Sequence, residues 1–205
     1  MDAVTSPGAE SGATRRRILD AALELASTTG LRKYSMEQIA RTAKIGRATL
    51  YLYFNGKDAL IAALVETELA RYFAGIQSVI DGYQDADDRL VHGFAAAYRL
   101  LRNHPAFTTV LRVNPELLTP YLIAENSRAM DLARGFVYSV IRPGDLPDEL
   151  RAQFAEHVAR TIHSFILVPG GVLALDTTGG PEEYARRFLL PVRKALAADS
   201  QIRFM

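Results

Sequence analysis

Apolar residues recur at helical spacing along nearly the whole chain, and no stretch alternates apolar and polar between turn residues. The pattern predicts an all-α protein. Ile18, Ala21, Ala22 and Leu25 make the first stripe, with Thr14 as the expected N-cap and Gly30 as the stop. Ser35-Met-Glu-Gln38 has the form of a capping box, in which the serine hydroxyl accepts from the fourth residue's amide and Gln38 reaches back. The short helix that follows carries Met36, Ile39 and Ala40 on one face and ends near Ala43. After Lys44-Ile45-Gly46 a second short helix spans Arg47 to Phe54. Asn55 is the expected cap of a long helix that runs to about Asp81 through Leu60, Ile61, Leu64, Leu69, Phe73 and Ile76.

Prolines punctuate the rest. Residues 87–103 predict one helix, with Leu90, Val91, Phe94, Tyr98 and Leu101 inward. Asp85, Asp87 and Asp88 read as helix-start acids rather than calcium ligands. Pro105 opens a short helix ending near Val113. Another helix is expected from about Pro120 to Ile141, stopped by Pro143-Gly144. Pro147-Asp-Glu149 opens a helix with the stripe Leu150, Phe154, Val158, Ile162 and Ile166. Pro169 to Gly180 reads as a loop. Pro181-Glu-Glu183 opens the last helix, in which Pro191 leaves the Arg187 carbonyl without a donor, so a kink is expected.

Composition narrows the chemistry. A chain of 205 residues fits one large domain or two small ones. With no cysteine, a disulfide scaffold, a thiolate zinc site and a thiol nucleophile are excluded. His157 and His163 do not share a helical face, and no His-Glu-x-x-His, Gly-x-Gly-x-x-Gly, Gly-x-Ser-x-Gly or Walker pattern occurs, so neither a metal nor a cofactor is called for. The uncharged stretch Thr161 to Leu175 is too short to span a bilayer and is broken by Pro169, Gly170 and Gly171. Residues 1–13 lack the basic start and apolar core of a signal peptide and read as a disordered tail, which makes the cytoplasm the expected compartment. The overall charge of +1 conceals a local bias: residues 14–57 hold nine basic and three acidic residues, whereas residues 58–205 hold 15 basic and 18 acidic. Such a basic segment is either a polyanion-binding surface or a solvated helix face.

The two short helices around Lys44-Ile45-Gly46 favour the first. Ile39, Ile45, Leu50 and Phe54 can knit them into a helix-turn-helix, whose second helix enters a DNA major groove. If Leu50 and Phe54 face the core, Arg47, Ala48, Tyr51 and Leu52 face largely outward. Arginine can grip guanine, the Thr49 methyl can meet a thymine methyl, and small Ala48 permits close approach. Lys57, opening the next helix, suits a phosphate.

The run Ala43-Lys-Ile-Gly-Arg-Ala-Thr-Leu-Tyr-Leu-Tyr-Phe-Asn-Gly-Lys-Asp-Ala-Leu60 resembles the signature of tetracycline-repressor-like (TetR) transcriptional regulators. Arg17-Ile-Leu-Asp-Ala-Ala-Leu-Glu-Leu25 and Ser35-Met-Glu-Gln-Ile-Ala40 match as well, so the resemblance spans about residues 14–62. It implies an all-helical homodimer with an N-terminal three-helix DNA-binding domain and a variable helical domain for a small-molecule inducer. Within the matching motif it implies a base-contacting Arg47 and a close-approach Ala48. Thr49 and Tyr51 would touch bases or backbone, Lys57 a phosphate, and Ser35 a helix amide and a phosphate. Tyr53 is implied against the DNA backbone, and its own spacing leaves that open against a place in the core or at a dimer contact. Two positions depart from the family: Gly46 stands where a serine or threonine usually caps the recognition helix, and Leu52 where a polar or aromatic ring is common.

These readings divide the chain into a tail (1–13), a helix-turn-helix DNA-binding domain (14–56) and an effector-binding and dimerisation domain (57–205). Phe94, Tyr98, Phe107, Tyr121 and Phe165 are the candidate ligand-binding aromatics, with Met130, Phe136 and Tyr138 nearby in sequence and Arg99, His104 and Arg112 available to orient a polar ligand. Homodimerisation is expected through the last two helices: Leu150, Phe154, Val158, Ile162 and Phe165 on one, Phe188, Leu189 and Val192 on the other. The expected function is a repressor released from a palindromic DNA operator by a small molecule. The alternatives are a ligand-responsive activator, a helical enzyme built around Arg99, His104 and Arg112, and a non-specific nucleoid protein.

Overall fold

The computed structural model describes residues 7–30, 33–122 and 127–203. These are helical and turn segments, with one isolated β-bridge between Pro143 and Leu146 and no strands. No described helix is long and apolar enough to cross a membrane. Packing divides the chain into two compact units. The first takes the described residues up to Ala70 together with His104–Leu118, and the second takes Arg71–Asn103 and the described residues from Thr119 on. This division does not follow the boundary drawn after residue 56 from the motif.

The first unit begins with α1, Pro7–Thr29. Of the stretch read as a tail, residues 1–6 lie outside the described residues and residues 7–13 are helical, and Thr14 lies inside the helix rather than at its cap. Glu10 lies in the positive first turn. Helix α2, Met36–Thr42, starts on the expected capping box: Ser35 Oγ accepts from the Gln38 amide at 3.2 Å, and Gln38 Oε1 from the Ser35 amide at 2.7 Å. Helix α3, Arg47–Tyr53, follows after Gly46, which offers no side-chain cap. Helix α4, Lys57–Ile80, follows Gly56, whose carbonyl accepts from the Leu60 amide at 3.3 Å. Gly56 thus holds the cap position expected of Asn55, which falls in the bend one residue too early. Helix α6, Pro105–Val113, returns to this unit. His104 caps it, Nδ1 accepting from the Phe107 amide at 3.1 Å; Nε2 therefore carries the proton and faces Glu68 Oε2 at 3.1 Å. Thr109 donates to the Ser27 carbonyl at 2.9 Å, tying α6 to α1. The core is apolar: Ile18, Leu19, Ile39, Leu50 and Leu60 are fully buried, with Ala106 and Val110 from α6.

In the second unit α5, Ala86–Arg102, starts on Asp85, whose carboxylate accepts from the Asp87 and Asp88 amides, as expected for helix-start acids. The single helix expected from Pro120 to Ile141 is instead α7, Thr119–Leu122, and α8, Arg128–Val140. Ser127 is the reason: its hydroxyl accepts from the Met130 amide at 3.3 Å and begins a new helix. Helix α9, Asp148–Leu167, buries Phe154, Val158, Ile162 and Ile166; Leu150, the first member of that stripe, is only half-buried. Arg151 on α9 is buried too, its guanidinium 3.8 Å from the Tyr138 ring centroid and paired with Asp148 at 3.0 Å. After a loop come α10, Gly180–Tyr184, a π turn over Ala185–Leu189, and α11, Leu190–Arg203. The disturbance expected at Pro191 takes the form of this π turn: the Leu190 amide donates to the Ala185 carbonyl, widening the ladder just before the proline that cannot donate.

Charged pairs strap the α9–α10 loop and α10 onto α5. Arg99 grips Glu182 with both terminal nitrogens, at 2.5 and 2.6 Å. Asp176 accepts from the Tyr98 hydroxyl at 2.8 Å and from Arg102 at 3.0 Å. At the other end of α5, Asp87 pairs with Arg193 and, at 2.7 Å, with Lys194 of α11.

Candidate nucleic-acid interface

The interface is built on the α2–α3 turn. Lys44 takes the left-handed conformation, φ 54°, that lets the chain reverse, and the Ile45 amide returns to the Ala40 carbonyl at 3.0 Å. Leu50 and Phe54 then turn inward, 0% and 4% exposed, and fix the roll of α3. What remains outside is Arg47, Ala48, Tyr51 and Leu52, all exposed, with Thr49 and Tyr53 half-buried at the flanks. The Arg47 guanidinium lies 5.7 Å from the Tyr51 ring centroid, so these two share one ridge. From α1, Arg15 lies 5.5 Å from the Phe54 ring, which brings a further cation to the end of α3. Arg17 donates to the Ala43 carbonyl at 3.3 Å and so steadies the turn.

Ser35 is exposed, and its oxygen serves the capping box while its own O–H proton can still be donated outward. Lys57 is less free than the sequence suggested. Its ammonium donates to the Tyr34 carbonyl at 2.8 Å and lies 4.6 Å from the Tyr34 ring centroid. Desolvation lowers its pKa below the usual lysine value, against the opposing pull of Asp58. Burial pushes the Tyr34 hydroxyl up.

The other candidate residues lie elsewhere. Phe94 is buried and stacked on Tyr184, with ring centroids 5.3 Å apart, and Tyr98 is buried with its hydroxyl on Asp176. Phe165 meets Tyr184 edge-on at 4.9 Å. Phe107 is half-buried on α6 of the first unit, and the side chain of Tyr121 lies outside the described residues. Sequence reasoning missed Tyr184, which joins Phe94, Phe165 and Phe188. Its spacing of four from Phe188 was the available signal. Arg99 and His104, offered for a polar ligand or an enzyme site, are engaged with Glu182 and Glu68, and Arg112 stands exposed. Of the residues assigned to a dimer interface, Phe154, Val158, Ile162 and Leu189 are buried within the chain itself, because their side chains fill the second unit's own core. Phe188 and Val192 remain exposed. Among the described residues no cluster of His, Asp and Glu is arranged to hold a metal ion.

The family model for bacterial regulatory proteins of the tetR family matches residues 18–64, the segment that holds α2, α3 and the start of α4. Over that segment the chain is similar to TetR-like transcriptional regulators. The HTH-type transcriptional regulator Rv1255c of Mycobacterium tuberculosis is 29% identical to this chain over 154 residues, 75% of each chain. UidR of Escherichia coli K12, also an HTH-type transcriptional regulator, is 37% identical over 78 residues, 38% of this chain and 40% of UidR. The TetR family repressor AlkX from Dietzia sp. shares this chain's fold, with a TM-score of 0.63, 18% identity and coverage of 96% of this chain and 100% of AlkX. A TetR-family regulator from Pectobacterium atrosepticum gives a TM-score of 0.62 at 20% identity, covering 94% and 97%. These relatives are transcriptional regulators, a family that is not enzymatic.

Proposed function

We propose that this regulator is a repressor that reads a two-fold symmetric operator as a homodimer and leaves it when a small molecule binds its C-terminal part. The observation that carries the reading is the division of α3, with Leu50 and Phe54 spent inward and Arg47, Ala48, Tyr51 and Leu52 in solvent. On this reading residues 14–56 read DNA and residues 57–205 hold the effector and the partner subunit, in the cytoplasm. Arg47 grips a base edge, Ala48 lets the helix lie close, and Thr49, Tyr51 and Tyr53 complete the groove contacts. Ser35 and Lys57 hold phosphates at either side.

A seven-residue helix reaches few base pairs, which is the physical case for two copies reading successive major grooves. Phe188 and Val192, four apart on the exposed side of the last helices, support pairing there with a second copy. The rings of Phe165 and Tyr184 support a flat or apolar effector. Such a ligand acts only by favouring one of two dimer states, and α4, whose residues are divided between the two units, is the covalent path along which the preference passes.

The test is selection of bound sites from random duplexes by the purified protein at a fixed low salt concentration. Two-fold symmetric sites, preferred over random duplex by ~10³-fold or more, are the expected result. Asymmetric sites, or equal affinity for every duplex, overturn the reading.

A further inference from the structure

Leu52 is 86% exposed on a helix whose apolar neighbours Leu50 and Phe54 are sealed inside. Lone surface leucines are common and need no explanation. This one belongs to an ordered pattern. Ala48 lies one turn before it on the same side of α3, and with only a methyl group it leaves that flank of Leu52 open. Arg47 is drawn toward the ring of Tyr51, 5.7 Å away, on the neighbouring ridge. The outer surface of α3 is therefore split lengthwise into a cationic and aromatic ridge, Arg47–Tyr51, and an apolar ridge, Ala48–Leu52.

The base edges in a major groove offer hydrogen-bonding groups and one apolar group, the thymine C5 methyl. A leucine has no donor or acceptor, so against guanine, adenine or cytosine it leaves polar groups desolvated and unpaired. We infer that Leu52 is a specificity-determining residue that packs on a thymine methyl, so that each half-site contains a thymine read through its methyl group. The inference rests on the DNA-reading function proposed above and adds which base the apolar ridge selects.

The experiment uses the full-length protein and the duplex it recovers from a random pool. Each thymine is replaced in turn by deoxyuracil, which removes the methyl and keeps the pairing edge, and affinities are measured for the wild type and for Leu52→Ala at one salt concentration. In the wild type, one thymine per half-site is expected to lose about fourfold in affinity without its methyl, the factor that one buried carbon contributes. In Leu52→Ala the same replacement is expected to change nothing, while the melting temperature stays at the wild-type value because the side chain is outside the core. A wild type indifferent to every deoxyuracil, or a Leu52→Ala protein that keeps the methyl dependence, overturns the inference and leaves DNA reading standing. A wild type that selects no preferred sequence defeats the DNA reading itself, and this inference with it.

Discussion

At Gly180 the backbone runs so close to the preceding loop that a Cβ would stand 2.0 Å from the Ala174 carbonyl oxygen and 2.8 Å from Thr177 Oγ1. Because one of these obstacles is backbone, Gly180→Ala is expected to destabilise the protein by about 1–3 kcal/mol. A urea titration checks this, and an unchanged midpoint would contradict it. At the interface two substitutions separate two roles. Arg47→Ala is expected to cost ~1–3 kcal/mol of affinity and relax preference at one base pair, whereas Lys57→Ala weakens binding to all duplexes alike and reduces the salt slope by about one. Titrations against several sequences at several salt concentrations distinguish them. Lys57 also holds the Tyr34 carbonyl, so a lowered melting temperature is expected for that variant alone. The outward set Arg47, Ala48, Tyr51 and Leu52 was legible in the sequence because two apolar residues four apart fix the roll of a helix. The bond from Lys57 to Tyr34, 23 positions away, left no periodic trace.

At the scale of elements, local chemistry was the legible part. The Ser35 box, the Asp85 cap and the Pro105 start each announce themselves within four residues. The start of α8 did not, because a serine within a helical pattern is a cap only where its own backbone turns out of the helical region, as Ser127 does with ψ 118°. The strap across α5 joins residues more than 70 positions apart and was not visible at all. It has a pH signature. Arg102 and Tyr98 hold the Asp176 carboxyl below its usual range, and Arg99 does the same for Glu182. With folded values depressed, the stabilisation is complete above the ordinary carboxylate range and is lost as pH falls through the folded values. Melting temperatures are therefore expected to drop as the pH is lowered from 7 to about 3, and Arg99→Gln should shrink that drop. An equal drop in the variant would remove Glu182 from the account.

At the scale of the molecule, the sequence named apolar stripes without dividing them between the chain's own core and a partner. Phe154, Val158, Ile162 and Leu189 went inward, leaving Phe188 and Val192. The double substitution Phe188→Glu and Val192→Glu is expected to convert a dimer to monomers in sedimentation, with an unchanged melting temperature for the isolated subunit and a loss of preference for palindromic duplexes. A variant that still sediments as a dimer places the contact elsewhere. The remaining consequence belongs to the first unit, whose chain departs after Ala70 and comes back for His104–Leu118. Transplanting this DNA-reading head onto a foreign body cannot be done with one splice after the motif. A chimera cut there would strand α6 and the hydroxyl that Thr109 lends to α1, so three junctions, at 70/71, 103/104 and 118/119, have to be sewn together.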